Sequence, residues 1–550
     1  MAVVYMKKLE EEPETYESNF TTLTKGINLE VQKWVLERVN TMDSILEIGC
    51  GPGTLASKLA THGNKVKAID KNLDMIKFAI NNYPTEKDVD LLYQVGSYET
   101  LQEELESYDT VVNTFMLSEL NQLEQQLFLR TVWKILKPNG RLLIAAEFLP
   151  LGFWKIPFKL KRWWFKKKIH RLRLRGTHIV EHFIKYLTSI GFEISSKRSW
   201  NHGAIKVLEL KKILIGKDNQ PGYYRPKAKK FTGIKSQFRI YRCIFTGQVD
   251  SVPIEPGLYK AGNPTEDSPI IVTANYDYTY IRVMRDLKGV DAWVLCVDSN
   301  GINVWCAARG NDFGNKQLIE AVNTTGIDTI LKSKRLILPQ LSAGGVSIPQ
   351  LPKSFPFKIV FGPVWSKDLI KFIQEKPTKK PDSMKLAKFT LSHRIRAGIT
   401  HTTFLFRKIF IIPLILLILT LLILNEVNNL WWIGELALWV IVSNAVIALL
   451  FPLSYFTRNF IIKSIFFGII NLVLISFIVW FFHDSIIYLL LNSGILFWIS
   501  FFSTMSFSGY TMATNPREIQ IQYPIFRKIN ISLIIIVVIL LGLNIIFFMY

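Results

Sequence analysis

Cysteine is scarce: Cys50, Cys243, Cys296 and Cys306 are the four in a chain of 550 residues. So few thiols, so far apart, make neither a disulfide framework nor a cluster able to hold an iron-sulfur centre. The opening MAVVYMKKLEEEPE lacks an apolar signal core, so the soluble part of the chain is expected in the cytosol. Acidic residues are also in deficit, 44 against 66 Lys and Arg, for a net charge of +22. That surplus predicts an anionic partner, either nucleic acid or an anionic membrane surface. Hydrophobic residues make up 49%, which excludes disorder as the dominant state. The length predicts about three or four folded units.

The apolar residues are concentrated. Five runs, near 409–425, 432–456, 461–482, 486–510 and 530–549, approach or exceed the length of a bilayer span. In lipid such runs must be helices, because no backbone polar group can go unsatisfied there. Arg394, Arg396, Arg407 and Lys408 precede the first run, Arg458 and Lys463 follow the second, and Arg517, Arg527 and Lys528 follow the fourth. The alternate connections, holding Glu426 and Glu435 or His483 and Asp484, contain no Lys or Arg. The basic side faces the cytoplasm, which predicts a multi-pass protein of the cytoplasmic membrane with its soluble domains inside and its C-terminus outside. Paired charges and inverted repeats are missing from the runs, which argues against a transporter.

Near the N-terminus, Ile45-Leu46-Glu47-Ile48 reads as a strand that enters Gly49-Cys50-Gly51-Pro52-Gly53 and then an amphipathic helix. Glycines there let a backbone approach a ligand closely at the strand's C-terminal end. A second strand from Lys65 to Ile69 ends at Asp70, placed to accept from ribose hydroxyls. A strand over Asp109–Asn113 and a turn at Leu136–Gly140, followed by strand Arg141–Ala145, come next in order. A dinucleotide-binding domain is one alternative on pattern alone, and a catalytically inactive fold used as a scaffold is another. The LEIGCGPG run and this order resemble the class I S-adenosylmethionine-dependent methyltransferases over about residues 25–212. The resemblance implies that Glu47, Gly49, Gly51 and Gly53 hold the methionine and ribose end of S-adenosylmethionine and that Asp70 holds the ribose hydroxyls. Ser97, after Gly96, takes the adenine-side position that is often acidic in that family.

No acidic residue occurs between Phe148 and Val180, and Trp154–Arg175 carries ten Lys or Arg residues interleaved with aromatics. Such a stretch suits a nucleic-acid surface, a lipid headgroup layer or a merely solvated basic helix. The apolar runs favour the second, with membrane lipid as partner and no nucleic acid expected. Neutralising Lys166, Lys167 and Lys168 is the corresponding test.

The central part alternates strands and helices, with Ile270–Ala274 and Ala292–Val297 as buried-type strands. Cys306, in NVWCAA after the second of these, reads either as a small buried hydrophobe or as a thiolate ligand or nucleophile at the sheet's ligand-binding edge. NVWCAA, VTANY, GLYKAGNP, DAWVLCVD, LILPQLSAGGV and FGPVWSKDL together resemble the corrinoid domain of the membrane-bound corrinoid protein of mercury methylation. That protein is itself similar to the corrinoid iron-sulfur proteins of the acetyl-CoA pathway, and it joins such a domain to five membrane helices. The resemblance implies a cobalamin-type corrinoid whose cobalt is held from below by Cys306, a soft donor. Asn303 and Trp305 would shape the cap, while Thr273, Asn275, Gln340, Gly344 and Gly345 would face the corrinoid. It further implies a metal-ion or other small-molecule methyl acceptor, such as mercuric ion, and a low-potential ferredoxin with iron-sulfur clusters as partner.

The expected fold is therefore α/β, with a Rossmann-like class I methyltransferase domain over 1–212 and a second α/β, corrinoid-binding domain over 213–375. A linker over 376–408 and an all-α transmembrane domain of five helices over 409–550 complete it. The expected activity is corrinoid-dependent methyl transfer with a fused S-adenosylmethionine domain. The alternative is a methyltransferase of a lipid, quinone or other small molecule anchored by a corrinoid-protein-like membrane module.

Overall fold

The computed structural model describes residues 9–84, 89–101, 105–162, 179–180, 182–213, 221–246, 252–375, 380–385, 388–424, 430–483, 485–510 and 516–549. Lys166, Lys167, Lys168, Glu426 and Asp484 lie outside them, as does the core of the expected linker at 376–379. The chain divides into two compact units: Met1–Pro226 with Glu320–Thr329, and Lys227–Ile319 with Ile330–Tyr550.

The first unit opens with helices α1 (Pro13–Thr24) and α2 (Ile27–Leu36). A β/α alternation follows: β1 (Ser44–Ile48), α3 (Thr54–Thr61), β2 (Lys65–Asp70), α4 (Leu73–Asn82), β3 (Leu91–Val95), β4 (Tyr108–Thr114), α5 (Gln122–Ile135) and β5 (Leu136–Glu147). Helix α6 (Phe183–Ile190) and strands β6 (Phe192–Trp200) and β7 (Ile205–Lys212) complete it. The sheet order is β3-β2-β1-β4-β5-β7-β6, with β1 to β5 parallel and β7 antiparallel to both of its neighbours. Central strands such as Ile45-Leu46-Glu47-Ile48 are buried on both faces, as a parallel sheet between helix layers demands. The expected turn at Leu136–Gly140 is a register break inside β5, where the pairing skips between Tyr108 and Thr110 and Asn139 takes a φ of 63°.

The second unit begins with α7 (Ile234–Phe245), β8 (Gly257–Ala261), β9 (Ile270–Ala274), α8 (Asp277–Asp286) and β10 (Ala292–Val297). After α9 (Val304–Arg309) and α10 (Asn315–Thr325), whose residues from Glu320 on are counted in the first unit, come β11 (Arg335–Leu338), β12 (Lys358–Phe361) and α11 (Leu369–Glu375). Its five-stranded sheet runs β12-β11-β9-β10-β8, parallel except for β8. Both sheets agree with the expected α/β classes.

The region read as a linker contains a 15-residue helix, α12 (Leu391–Leu405), with Gly398, His401 and Leu405 buried. Its sequence, LSHRIRAGITHTTFL, is too polar to register as a span, so only packing reveals it. A π-type turn at Phe406–Phe410 leads into α13 (Ile411–Ile423). At 1.5 Å per residue such a helix covers roughly 20 Å, short of a bilayer core. Beyond it, Leu430–Ser454, Phe460–Trp480, Ile486–Gly509 and Ile521–Ile546 are long and apolar enough to cross a membrane, which makes the C-terminal region membrane-spanning. Polar side chains tie these helices together: Trp432 Nε1 donates to Asn492 Oδ1 at 3.2 Å and Asn471 Nδ2 to Ser500 Oγ at 2.6 Å. In a setting without a hydrophobic driving force, such bonds supply helix-to-helix specificity.

Candidate functional site

In the first unit the C-terminal ends of β1 to β4 converge on a cavity of about 120 Å³. Glu47, Gly49, Gly51, Asp70 and Ser97, all expected there, line it. Gly49 has a φ of 77°, and a Cβ on it would sit 2.8 Å from Met116 Cβ, so only glycine lets the loop pass. Gly53 does not line the cavity; it caps α3 and packs against Ala79 and Tyr93. The Asp70 carboxylate braces the glycine loop, accepting from Gly51 N at 3.0 Å and from Asn72 N at 2.8 Å. Sequence reasoning missed the cover provided by α1 and α2 through Tyr16, Phe20 and Asn28, and the wall formed by Phe115 and Met116 after β4. The i, i+4 spacing of Tyr16 and Phe20 was the available signal.

The cavity is strongly acidic. Glu10, Glu17, Glu47, Asp70 and Glu119 line it against one lysine, Lys71, which pairs with Glu119 at 3.1 Å. Glu47 is fully buried, its Oε2 has no hydrogen-bond partner among the described residues, and burial first, then Asp70 and Glu17, hold its pKa well above the usual carboxylate range. A buried carboxyl left short of a partner fits a ligand that brings cationic or donor groups, as the sulfonium and ammonium of S-adenosylmethionine do.

The sign of the Glu47 effect follows from linkage. The folded state keeps a proton that the unfolded state releases, so Glu47 lowers stability as pH rises above the ordinary carboxylate range. Glu47→Gln is expected to raise the apo melting temperature at neutral pH, flatten its pH dependence and weaken S-adenosylmethionine binding. Differential scanning calorimetry with titration calorimetry checks both; a lower apo melting temperature would refute the assignment.

In the second unit a cavity of about 520 Å³ opens at the C-terminal edge of the sheet. Thr273, Asn303 and Trp305 line it, together with Tyr276, Arg282 and Trp365. The short helix α9 owes its start to Asn303, whose Oδ1 accepts from Cys306 N at 3.0 Å while its Nδ2 donates to Cys306 Sγ at 3.4 Å. Cys306 is half-buried and in no disulfide, whereas Cys50, Cys243 and Cys296 are buried and burial raises their pKa values. Burial disfavours their thiolates, including that of Cys243, which lines this cavity, and Cys306 is the least buried of the four.

Not every expected residue reaches this cavity. Cys306 itself is one residue beyond the lining Trp305. Asn275 is spent on the fold: its Oδ1 accepts from Ser299 N at 2.8 Å and Gly301 N at 3.1 Å, and its Nδ2 donates to Ile254 O at 3.1 Å. Gln340 accepts from Lys380 Nζ, and Gly345 packs so tightly on α9 that a Cβ would sit 2.9 Å from Ala308 Cα. Gly344 has open space where its Cβ would be. The fourth wall, which the sequence did not announce, is α12, contributing His393, Arg396, Thr400, His401 and Phe404. Burial keeps the His401 imidazole neutral, its pKa pushed down to about 3.

Thr273 Oγ1 is buried at the wall of this cavity with no hydrogen-bond partner among the described residues. Thr273→Val is expected to leave the unliganded protein as stable or about 1 kcal/mol more so, because an unsatisfied hydroxyl is removed, and to weaken whatever the cavity binds. Paired unfolding and binding measurements read the two effects separately.

A parallel sheet with a 3-2-1-4-5-7-6 order, a reversed seventh strand and a glycine loop beside an acidic cavity gives the first unit the fold of a methyltransferase domain. It is followed by a second α/β domain of different topology and by the membrane helices. Residues 45–140 match the family model described as "Methyltransferase domain", and residues 232–347 match that of the "CO dehydrogenase/acetyl-CoA synthase delta subunit". The "Acetyl-CoA decarbonylase/synthase complex subunit gamma" of Methanopyrus kandleri is 33% identical over 104 residues, 18% of this chain and 22% of that protein. Its counterpart in Methanosarcina acetivorans is 35% identical over 104 residues, with the same coverage of 18% and 22%. The chain thus spans about a fifth of the length of the curated relatives it matches. A solved S-adenosylmethionine-dependent methyltransferase from Methanosarcina mazei aligns at 22% identity and a TM-score of 0.29, covering 33% of this chain and 97% of that one.

Proposed function

We propose that this protein is a membrane-anchored, corrinoid-dependent methyltransferase with a fused S-adenosylmethionine domain and a metal or metalloid acceptor. The observation that carries the reading is the 520 Å³ cavity, where Thr273 offers a hydroxyl without a partner among the described residues and the lining Asn303 and Trp305 belong to the turn and helix that carry the half-buried Cys306 thiol just behind them. The cavity's buried hydroxyl, aromatic walls and the cations Arg282 and Arg396 fit a corrinoid, with the soft sulfur donor Cys306 one residue behind the lining Trp305. When bound, the corrinoid supplies a cobalt-carried methyl group, and S-adenosylmethionine supplies an electrophilic one on sulfonium.

The chain's own part is holding and shielding. Asn303 orients the Cys306 thiol, Trp305 and α12 close the cavity against water, and Glu47 and Asp70 hold the first cofactor's polar end. The alternation of basic and non-basic connections supports five spans, with α13 as the first, cytoplasmic soluble domains and an external C-terminus. Reduction of cobalt needs an outside donor, and four scattered cysteines make a low-potential ferredoxin with iron-sulfur clusters the fitting partner. The proposed boundaries are 1–212, 213–375, 376–408 and 409–550, amended by the helical character of 391–405.

The experiment is cobalt analysis and visible spectroscopy of the full chain in detergent after loading with reduced cobalamin. Stoichiometric cobalt supports the reading. No bound cobalt would overturn it and leave the methyltransferase of a lipid, quinone or other small molecule.

A further inference from the structure

A helical segment over 152–162 follows β5 in the first unit. It is held to the sheet edge at three points. Leu151 N donates to His202 O at 3.2 Å, the Trp154 ring stacks on His202 at 4.2 Å, and Arg162 forms a buried ion pair with Glu147. Phe158 is half-buried. Everything else points outward: Leu151, Phe153, Ile156 and Leu160 are 68%, 77%, 67% and 64% exposed.

The pattern is not that of a solvated surface helix. Phe153, Ile156 and Leu160 recur at intervals of three and four, so they form one stripe, and Arg162 and Phe158 lie on the opposite, anchored side. Lys159 flanks the stripe on one side and Lys161 on the other, while Lys155 lies toward the anchored side, all three exposed. No acidic residue occurs from 149 to 179. An outward apolar stripe between two basic flanks fits the boundary where acyl chains meet anionic headgroups. The same chain carries membrane-spanning helices, so a bilayer is always within reach.

We infer that the segment over 152–162 is an interfacial docking helix that seats the methyltransferase domain on an anionic bilayer surface. It leaves β5 at the C-terminal edge of the parallel strands, the same edge that holds the 120 Å³ cavity. Docking therefore sets the side of the domain that must admit a methyl acceptor against the lipid. Met42, 87% exposed just before β1, lies at the opposite edge and faces water.

The test uses the full chain, in a Cys306→Ser background, reconstituted in nanodiscs of phosphatidylcholine with or without phosphatidylglycerol. Spin labels at Ile156→Cys and, one turn on, Leu160→Cys are compared with one at Met42→Cys by collision with oxygen and with a water-soluble nickel chelate. With phosphatidylglycerol present, the oxygen-to-nickel accessibility ratio at 156 and 160 is expected to exceed that at 42 by about threefold or more. Lys155→Glu, Lys159→Glu and Lys161→Glu together should return it to the value at 42. Equal ratios at all three positions would overturn the inference, and so would labels shielded from both reagents, which marks a protein partner. A ratio unmoved by charge reversal would refute the headgroup contact.

Discussion

Cys306→Ala in the full chain is expected to abolish the sulfur contribution to the visible spectrum of bound cobalamin and to cut corrinoid-dependent methyl transfer by at least about 100-fold, since even outer-shell partners of metal ligands cost 10- to 100-fold. The expectation rests on environment as much as on motif. Of the four cysteines, three are buried with raised pKa values, and Cys306 alone is half-exposed and held by Asn303 Nδ2 at 3.4 Å. Cys306→Ser is the sharper control, because oxygen keeps the shape while removing the soft donor. S-adenosylmethionine binding should be unchanged in both variants, which separates loss of the ligand from global unfolding. Unaltered cobalt spectra in Cys306→Ala would instead place the lower ligand elsewhere.

Asp70→Ala is expected to weaken S-adenosylmethionine binding by roughly 10- to 100-fold, the scale of a lost charge-assisted hydrogen bond. The carboxylate does two things at once: it lines the cavity and it accepts from the backbone of Gly51 and Asn72, so its removal takes away a ligand contact and loosens the loop. Asp70→Asn keeps an acceptor for one of these backbone donors and should recover part of the loss. Titration calorimetry reads both, and cobalamin loading of the second unit serves as the control that should not move. Equal affinity in wild type and Asp70→Ala would remove Asp70 from the site. If Asp70→Ala and Cys306→Ala each abolish transfer to a metal acceptor, the two sites serve one reaction. If Cys306→Ala leaves S-adenosylmethionine-dependent transfer intact, the first domain has an acceptor of its own.

The two α/β domains, the glycine loop and the apolar C-terminal third were legible in the sequence because each rests on short-range pattern. Alternation, span length and the spacing of Gly49, Gly51 and Asp70 are properties of contiguous residues. Which residues share a cavity is not such a property. Gly53 stands in the same motif as Gly49 yet packs behind the wall, and Asn275 sits in a matching motif yet spends its amide on holding the Ser299–Gly301 turn. The partnerless Glu47 and Thr273 oxygens depend on what surrounds them in three dimensions, so no pattern announces them.

Helix α12 shows the division most clearly. Its polar sequence carries neither a span signal nor a strong amphipathic one, and only tertiary packing turns His401 and Phe404 into the wall of a cavity that β9 and α9 open from the other side. Likewise composition alone marked Trp154–Arg175 as basic and aromatic, but the anchoring of Arg162 on Glu147 decided which face of the segment over 152–162 is left outward. Local sequence determined the elements and the chemistry they carry, because propensity and periodicity act over a few residues. The tertiary structure decided which of those groups meet, because burial and contact are set by residues tens to hundreds of positions apart.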